Sequence, residues 1–273
     1  MSARHDIAYL VGSDNRVDIL RALRDEPRGP SELASACSCA RETAHRSLSG
    51  FVERGWVARD DGEYRLTVAG GMVIEQYDRL ETTVDGTNRV RPFLRHAPAA
   101  FRDLPPEFLS AVRLETATPE NPHAPIGRFR ATLGDGGLER FRGVTPVVSP
   151  LFNEAAGAAL TPETDAELVI DESVLHVSET QYADALGEAF ELEKFTLLVS
   201  SDSPGCGLMI ADGHAFVCVY DEGTMVASLD GDEEAFVEWV SDLYAEERDR
   251  SRVLATVATD ATDAEPTSGG ASE

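Results

Sequence analysis

Residues 40–66 constrain the fold most, because they join an amphipathic helix to a short hairpin with almost no chain between them. Four apolar residues recur at helical spacing along a helix predicted at about 40–54: Ala44, Leu48, Phe51 and Val52. Gly55 supplies the left-handed residue that ends such a helix. Two short apolar runs then flank Asp60-Asp61-Gly62, which is typical of a hairpin turn. The pattern predicts a helix with one face buried and the opposite face outward.

Shorter helices are predicted on both sides of this stretch. A first helix is expected around residues 7–11, and Ser13 and Asp14 offer N-cap oxygens for the second. Pro30 suits the first position of a third helix, and Thr67 is placed to cap a last helix after the hairpin. Residues 1–87 therefore predict a winged helix-turn-helix domain, in which the 40–54 helix enters the major groove of DNA.

The outward face of the 40–54 helix carries side chains that can read base edges. They are Arg41 at the N-terminal end, Glu42, His45, Arg46 and Ser49. Arg can donate two hydrogen bonds to guanine, and the other types can read other edges. On the hairpin, Arg59 and Arg65 can reach the backbone or the minor groove, whereas the acidic tip avoids phosphates. We predict that these seven residues contact DNA, and that Arg46 and His45 carry base recognition.

The net charge of -25 argues at first against a nucleic-acid partner. Its distribution changes that argument. Residues 1–100 contain 14 Arg, no Lys and 15 Asp or Glu, a net charge of -1, which leaves -24 for the rest. Acidic excess with a single lysine, Lys194, is similar to the proteomes of salt-loving archaea. Salt weakens phosphate contacts steeply, so a missing basic patch is a weak argument against DNA binding.

The remainder of the chain predicts a second domain. Residues 88–125 hold seven prolines and are expected to form a stiff connector with one short helix near 107–115. Residues 126–254 predict strands at 166–170, 174–177, 195–200, 207–211, 215–220 and 225–229, and helices at 150–160, 179–191 and 232–248. The last three strands form an antiparallel meander. Residues 255–273 are expected to be a disordered acidic tail.

The sequence contains no catalytic or metal-binding spacing. It has no Gly-x-Ser-x-Gly elbow and no phosphate-binding loop ending in Lys, and its six histidines are scattered. We therefore expect no enzyme activity, no cofactor and no metal. Cys206 and Cys218 are expected to be buried thiols, while Cys37 and Cys39 leave a redox-responsive regulator as an alternative. The absence of a membrane-length apolar run and of a signal peptide predicts a cytoplasmic location.

Residues 16–77 resemble archaeal winged helix-turn-helix regulators. The segments that carry the resemblance are 17–20, 32–34, 41–48, 52–57 and 64–67. That family usually has Ser where Ala40 stands, which implies either a weaker helix cap or a cap from Ser38. Residues from roughly 100 to 254 resemble the filamentation-regulator or methanogenesis-regulatory sensor domain of halophilic archaea, through 105–109, 117–125 and 235–239.

The resemblances imply a transcription regulator that binds double-stranded DNA and senses a small molecule or a partner through a C-terminal α/β domain. The expected fold class is α+β. The heptad spacing of Val73, Tyr77, Leu80 and Val84 predicts a homodimer, with packing against the protein's own sensor domain as the alternative. A protein-interaction adaptor on a winged-helix scaffold is the other alternative. Tyr182, Cys218, Tyr220 and Trp239 are candidates for a ligand pocket or for core positions.

Overall fold

The computed structural model of the chain describes residues 2–134 and 136–256, which divide into two units between Asp85 and Gly86. The α+β class is confirmed. The first unit contains α1 (Ala3–Val11), α2 (Asp14–Ala22), α3 (Pro30–Ala36), α4 (Arg41–Glu53), β1 (Val57–Asp60), β2 (Glu63–Leu66) and most of α5 (Val68–Arg89). Its order of elements is that of a winged helix-turn-helix, and α4 is the helix predicted at about 40–54.

The core of the first unit is built around the inner face of α4. Ala44, Leu48 and Phe51 are fully buried there, as the periodicity predicts. The expectation for Val52 is wrong, because its side chain remains 42% exposed. The helical turn places Ser47 on the inner face instead, where it is buried.

The hairpin that follows α4 is a tight two-residue turn. Asp60 pairs with Glu63, and the two residues between them, Asp61 and Gly62, have φ angles of 44° and 90°. Positive φ at both central positions matches the twist of the flanking strands. Tyr64 adds a backbone bridge to Arg28, with both hydrogen bonds at 3.0 Å, so the wing is attached to the chain before α3.

The ends of α4 and α5 are capped differently. Ala40 is the N-cap of α4 and provides no side-chain hydrogen bond, and Ser38 stands outside the helix with a φ of 51°. Of the two expectations, the weaker cap is confirmed. Thr67 does cap α5, because its Oγ1 accepts a hydrogen bond from Gly70 N at 3.1 Å.

The second unit is organised around an eight-stranded mixed sheet. Its helices are α6 (Arg91–Leu94), α7 (Phe108–Ala111), α8 (Ala124–Leu133), α9 (Pro150–Ala159), α10 (Glu172–Gln181), α11 (Ala183–Phe190) and α12 (Glu234–Asp249), with a 3-10 turn at Ala99–Asp103. Its strands are β3 (Arg113–Thr116), β4 (Arg140–Val144), β5 (Asp165–Asp171), β6 (Phe195–Ser200), β7 (Gly207–Ala211), β8 (His214–Asp221), β9 (Thr224–Gly231) and β10 (Ser251–Thr256).

The strand order is β10-β6-β5-β4-β7-β8-β9-β3. The β4–β5 and β5–β6 pairs are parallel, and the other pairs are antiparallel. The meander of β7, β8 and β9 is therefore confirmed. Its turns are two residues long, with positive φ at Asp212, Gly213, Glu222 and Gly223.

Each face of this sheet has its own core, because side chains alternate along every strand. On β6, Leu198 enters one core, which also receives residues of α6, α7 and α12. Leu197 and Val199 enter the other, beneath α8, α9 and α10. Among the residues described, no helix is both long and apolar enough to cross a membrane.

The expected connector at 88–125 is wrong. Phe93, Phe101 and Phe108 lie in the core of the second unit, and β3 pairs with β9 at the edge of the sheet. Large apolar side chains alternate with the prolines in this segment. Burying those side chains stabilises a packed structure more than the prolines favour an extended connector. The short helix expected near 107–115 is reduced to α7, and Arg113 begins β3.

The strand expected at 174–177 is also wrong, because these residues belong to α10. The carboxylate of Asp171 accepts hydrogen bonds from Val174 N at 2.8 Å and from Ser173 Oγ at 2.6 Å, which caps a helix. A four-residue apolar run does not distinguish the two structures by itself. The single helix expected at 179–191 is divided between α10 and α11 at Tyr182.

The expected tail at 255–273 is only partly covered by the structure. Residues 255 and 256 are the last two residues of β10 and pair with β6, so the tail does not begin there. Residues 257–273 lie outside the described residues, and no outcome is assigned to that part of the prediction.

Candidate nucleic-acid interface

All seven residues predicted to contact DNA have exposed side chains. Five lie on α4 and two on the hairpin: Arg41, Glu42, His45, Arg46, Ser49, Arg59 and Arg65. Ser49 Oγ donates a hydrogen bond to the carbonyl oxygen of His45 at 3.0 Å, so this hydroxyl is partly used within the helix. α4 thus presents one continuous polar face opposite its buried stripe.

The two wing arginines are not brought together. Arg59 is opposite Tyr64 in the hairpin register, and its guanidinium carbon lies 5.8 Å from the centre of that ring. Arg65 is opposite Ala58, and therefore projects from the other face of the hairpin. The acidic residues Asp60, Asp61 and Glu63 occupy the tip between them and are exposed. Because the two arginines lie on opposite faces of the hairpin, only one of them can contact DNA from a given side of the wing.

Most other arginines of the first unit are engaged by neighbouring groups. The ion pairs are Arg21 and Arg24 with Asp78, Arg28 with Glu26, Arg54 with Asp6 and Arg79 with Glu75. Arg16 stacks over the ring of Tyr9 at 3.9 Å. Within residues 2–134 and 136–256, no carboxylate lies within ion-pair distance of Arg41, Arg46, Arg59 or Arg65, nor of Arg4. All four arginines predicted to contact DNA, two on α4 and two on the hairpin, therefore have no carboxylate partner among the described residues.

The ion pairs of Arg21 show how the remaining arginines are occupied. Its guanidinium lies 2.6 Å from Asp78 and 2.5 Å from Glu81 on α5, and the Tyr77 hydroxyl donates to Glu81 at 3.0 Å. Burial raises the pKa of Asp78, but hydrogen bonds from Arg24 and Arg21 outweigh it and leave that pKa below its usual value. This network holds α2 to α5 and leaves Arg21 and Arg24 no free charge for a phosphate.

The stripe predicted for dimerisation is only partly exposed. Val73 and Tyr77 pack against the core of their own unit. Ile74, next to Val73 in the chain, is fully buried in that core. The exposed apolar side chains of α5 are separated by four or eight residues: Val68 (84% exposed), Met72 (65%), Leu80 (57%) and Val84 (47%). The expected stripe is therefore corrected at Val73 and Tyr77, which stabilise the winged-helix unit.

The four cysteines are free thiols. Burial raises the pKa of Cys37, and the nearby Cys39 and Asp18 add to that effect. Burial also raises the pKa of Cys206 and of Cys218 to about 12. Such thiols are poor nucleophiles, which disfavours redox sensing through Cys37. In the described part of the chain, no group of three or more His, Cys, Asp or Glu is arranged to hold a metal ion.

The second unit contains a partly open cavity of about 280 Å³. Three of the four candidate pocket residues line it: Tyr182, Cys218 and Tyr220. The fourth, Trp239, packs instead against Phe101 and Phe236 in the core on the other side of the sheet. Composition alone does not separate these positions, because pocket and core walls use the same residue types.

Two family profiles match the chain. The HVO_A0261 N-terminal domain matches residues 4–89, and the middle domain of the methanogenesis regulatory protein FilR1 matches residues 122–250. The two matches together support a regulator-type protein. A comparison with curated proteins finds no match.

Several solved structures match the chain at low similarity. TrmBL2, an archaeal chromatin protein with a novel mode of DNA binding, is 12% identical, with 92% of this chain and 99% of that chain covered and a TM-score of 0.39. Nuc from Salmonella typhimurium, a phospholipase D family member, is 15% identical over 52% of this chain and 97% of its own, with a TM-score of 0.40. NucT from Helicobacter pylori is 9% identical over 52% and 98%, with a TM-score of 0.41. These low TM-scores decide nothing about function.

Proposed function

We propose that the chain is a sequence-specific transcription regulator that binds duplex DNA through α4 in the major groove. The observation that carries the proposal is the contrast among the arginines of the first unit. Arg21, Arg24 and Arg79 are paired with carboxylates on α5, whereas the arginines on α4 and the hairpin are exposed and have no ion pair among the described residues. Exposed guanidinium groups without partners, on the outward face of a helix-turn-helix, are what base and phosphate contacts require.

Arg46 and His45 are proposed to read bases. Both are exposed in the middle of α4, one turn from its N-terminal end, which is the part of a recognition helix that reaches base edges. Arg41 stands at the first position of α4, where no side chain caps the free amides. A phosphate oxygen suits this place, because it is attracted both by the amides and by the guanidinium group.

The number of backbone contacts in this proposal is small. Arg41, Arg59 and Arg65 are the arginines near the groove that remain for phosphates, and the wing tip is acidic. Fewer phosphate contacts mean a shallower dependence of affinity on salt. Such a design keeps affinity in concentrated salt by relying more on base contacts, and it fits a chain with a net charge of -25.

Two copies of the chain are proposed to bind together. Met72, Leu80 and Val84 are exposed and fall within about 120° around the helix axis, which gives α5 an apolar face that a second α5 can cover about a twofold axis. Two winged-helix units in such a dimer read two half-sites about one helical turn, or a multiple of it, apart. The operator is therefore expected to be a palindrome or near-palindrome.

The second unit is proposed to sense a small molecule and to change the affinity for DNA. Its support is the partly open, mostly apolar cavity of this unit. A ligand changes DNA affinity only if it binds two states of the protein differently. A cytoplasmic location, where the chromosome is reached directly, is part of this proposal.

The test of the proposal is a genome-wide map of the DNA bound by the full chain in its native cells. The expected result is enrichment at a limited set of promoters that share one palindromic motif. A variant with Arg46→Ala and His45→Ala is expected to lose these peaks, while Arg79→Ala keeps them. Enrichment spread evenly over the chromosome, or peaks without a common motif, would overturn the proposal.

A further inference from the structure

We propose that the cavity of the second unit binds an uncharged, ring-containing small molecule of about two fused or linked rings, with one hydrogen-bonding group. That this molecule is the effector rests on the proposed function, whereas its binding does not. The cavity lies on one face of the sheet, between β4–β8 and the helices α9, α10 and α11.

The size of the cavity sets the size of its ligand. Protein interiors are close-packed, and an apolar space much larger than a water molecule is typical of a ligand site. A dry apolar cavity of roughly 150 Å³ holds a benzene molecule. The volume here, about 280 Å³, is nearly twice that and accommodates two rings.

The walls of the cavity are aromatic and apolar. Five phenylalanine rings contribute to them: Phe129, Phe141, Phe152, Phe195 and Phe216. Phe129 contacts Phe152 and Phe216 edge to face, with centroid distances of 5.3 and 5.4 Å, which fixes the position of this ring. A ligand that presents ring faces and edges packs against such walls at little cost in side-chain freedom.

Charge is excluded from the interior of the cavity. Among the described residues no Arg, Lys or His lines it, and its one lining carboxylate, Glu188 on α11, is exposed. Burial raises the pKa of Cys218 to about 12 and that of Tyr220 well above its usual value, so both stay neutral. An anionic ligand would lose its hydration without gaining an opposite charge, and a cationic one would find only the exposed Glu188, so a charged ligand is disfavoured.

A few polar side chains at the cavity wall can fix the orientation of the ligand through a hydrogen bond. Asn153 on α9 and Tyr182 between α10 and α11 are half-buried, and their side chains have no hydrogen-bond partner in the described ranges 2–134 and 136–256. On β8, Cys218 Sγ donates to Tyr220 Oη at 3.2 Å. The amide of Asn153 both donates and accepts, so it is the group assigned to the ligand's hydrogen bond.

The outer wall of the cavity is α11, which has no fully buried residue of its own. Its half-buried side chains Ala185, Leu186 and Ala189 line the cavity. A ligand beneath them completes the apolar packing of this helix. α11 is thus the element whose order depends on whether the cavity is occupied.

Binding is tested with two dyes that share one skeleton. 1-Naphthylamine has two rings and is uncharged at neutral pH, and 1-naphthylamine-5-sulfonate is the same molecule with a sulfonate. Fluorescence titrations of the full chain in concentrated salt, which screens the protein's net charge, are expected to show saturable binding of one neutral dye per chain. The anionic dye is expected to bind at least tenfold more weakly. Equal affinities for the two dyes would overturn the assignment of an uncharged ligand.

Variants locate the dye. Ala156→Phe fills the cavity from α9 and is expected to abolish binding, while Ala158→Phe, an exposed neighbour that does not line the cavity, leaves it unchanged. If Ala156→Phe fails to fold, Asn153→Leu takes its place and is expected to weaken the neutral dye about tenfold. Unchanged binding in a folded variant at both positions would place the dye elsewhere and refute the site.

The same samples separate this inference from the proposed function. DNA binding without dye binding refutes the cavity site and leaves the regulator intact. Dye binding without any DNA binding refutes the regulator and leaves the cavity site intact. If both occur, saturation with the neutral dye is expected to change the affinity for operator DNA at least threefold in wild type and not in Ala156→Phe. No change in wild type would remove the role of effector.

Discussion

The hydroxyl of Thr67 donates a hydrogen bond to the carbonyl oxygen of Gly55 at 2.7 Å. Thr67 Oγ1 in turn accepts a hydrogen bond from Gly70 N at 3.1 Å. One side chain therefore caps α5 and also ties its start to the residue that ends the proposed recognition helix.

Replacing Thr67 is expected to loosen this junction. Thr67→Ala should lower the free energy of unfolding by about 1 kcal/mol, because a helix N-cap is lost and the Gly55 carbonyl loses its partner. Thr67→Ser keeps the hydroxyl and should retain most of the stability. Urea unfolding of the full chain measures both, and equal losses for Ala and Ser would show that the hydroxyl has no role.

Gly70 and Gly71 form a matched pair at the start of α5. A Cβ at Gly70 would overlap the carbonyl oxygen of Trp56 and lie 2.9 Å from its carbonyl carbon, whereas one at Gly71 would meet only Leu66, at 3.8 Å. Gly70→Ala should therefore be strongly destabilising, by about 1–3 kcal/mol, because backbone must move. Gly71→Ala should stabilise by about 0.5–1 kcal/mol, since alanine favours a helix. The two melting temperatures, measured side by side, should move in opposite directions.

Sequence patterns recovered the first unit well because its contacts are local. The apolar spacing along α4, the Gly55 stop and the Asp61-Gly62 turn each act within a few residues. In the second unit, β4 was missed, because Arg140 and Arg142 hide the pattern of a strand whose partners are β5 and β7, far along the chain. The cavity was not predicted at all, since its walls come from elements that only tertiary folding brings together.

The connector and the 174–177 strand failed for a related reason. Proline content suggested an extended link, but side chains such as Phe101 and Phe108 decide the structure once a sheet is present to cover them. At 174–177 the deciding group was the Asp171 cap, which lies before the apolar run. The predicted contacts of Arg46 and His45 with bases stay a prediction, because exposure alone does not show what a side chain binds.

Arg128 and Asp230 form a buried ion pair in the second unit. Asp230 is 1% exposed and is bound by Arg128 Nε at 2.9 Å and by His214 Nε2 at 3.1 Å. Arg128→Ala should cost about 3–5 kcal/mol, because it leaves a buried carboxylate without its main partner. Arg130→Ala is the control: its exposed side chain lies 3.6 Å from Glu154, and its loss should be within about 0.5 kcal/mol.

The cost of losing Arg128 should depend on pH in one direction. Burial raises the pKa of Asp230, but the hydrogen bonds from Arg128 and His214 outweigh it, so that pKa lies below its usual value. A lowered folded-state pKa contributes stability above the unfolded value of about 3.9, and this is lost as the pH falls through the folded pKa. The difference between wild type and Arg128→Ala in urea unfolding should therefore shrink below about pH 4. A constant difference would mean that Asp230 is not the partner that matters.

The exposed apolar face of α5 predicts the oligomeric state. Leu80→Lys should convert a dimer to a monomer, because it places charges at the centre of the apolar face. Thr82→Lys, exposed on another side of α5, should leave the dimer unchanged. Sedimentation at several salt concentrations, with and without DNA, measures both. A wild-type chain that is a monomer under all these conditions rules out the dimer.

The central claim is that α4 reads sequence, and fluorescence anisotropy with Arg46→Ala tests it most directly. Two duplexes are titrated with the full chain at one salt concentration: a site recovered from the genome-wide map and the same bases in shuffled order. Arg79→Ala serves as the control, because Arg79 is exposed but bound to Glu75. Arg46→Ala should weaken binding to the recovered site by about 1–3 kcal/mol and should barely change binding to the shuffled one. Equal losses on the two duplexes, or a wild-type chain that does not distinguish them, would contradict the account.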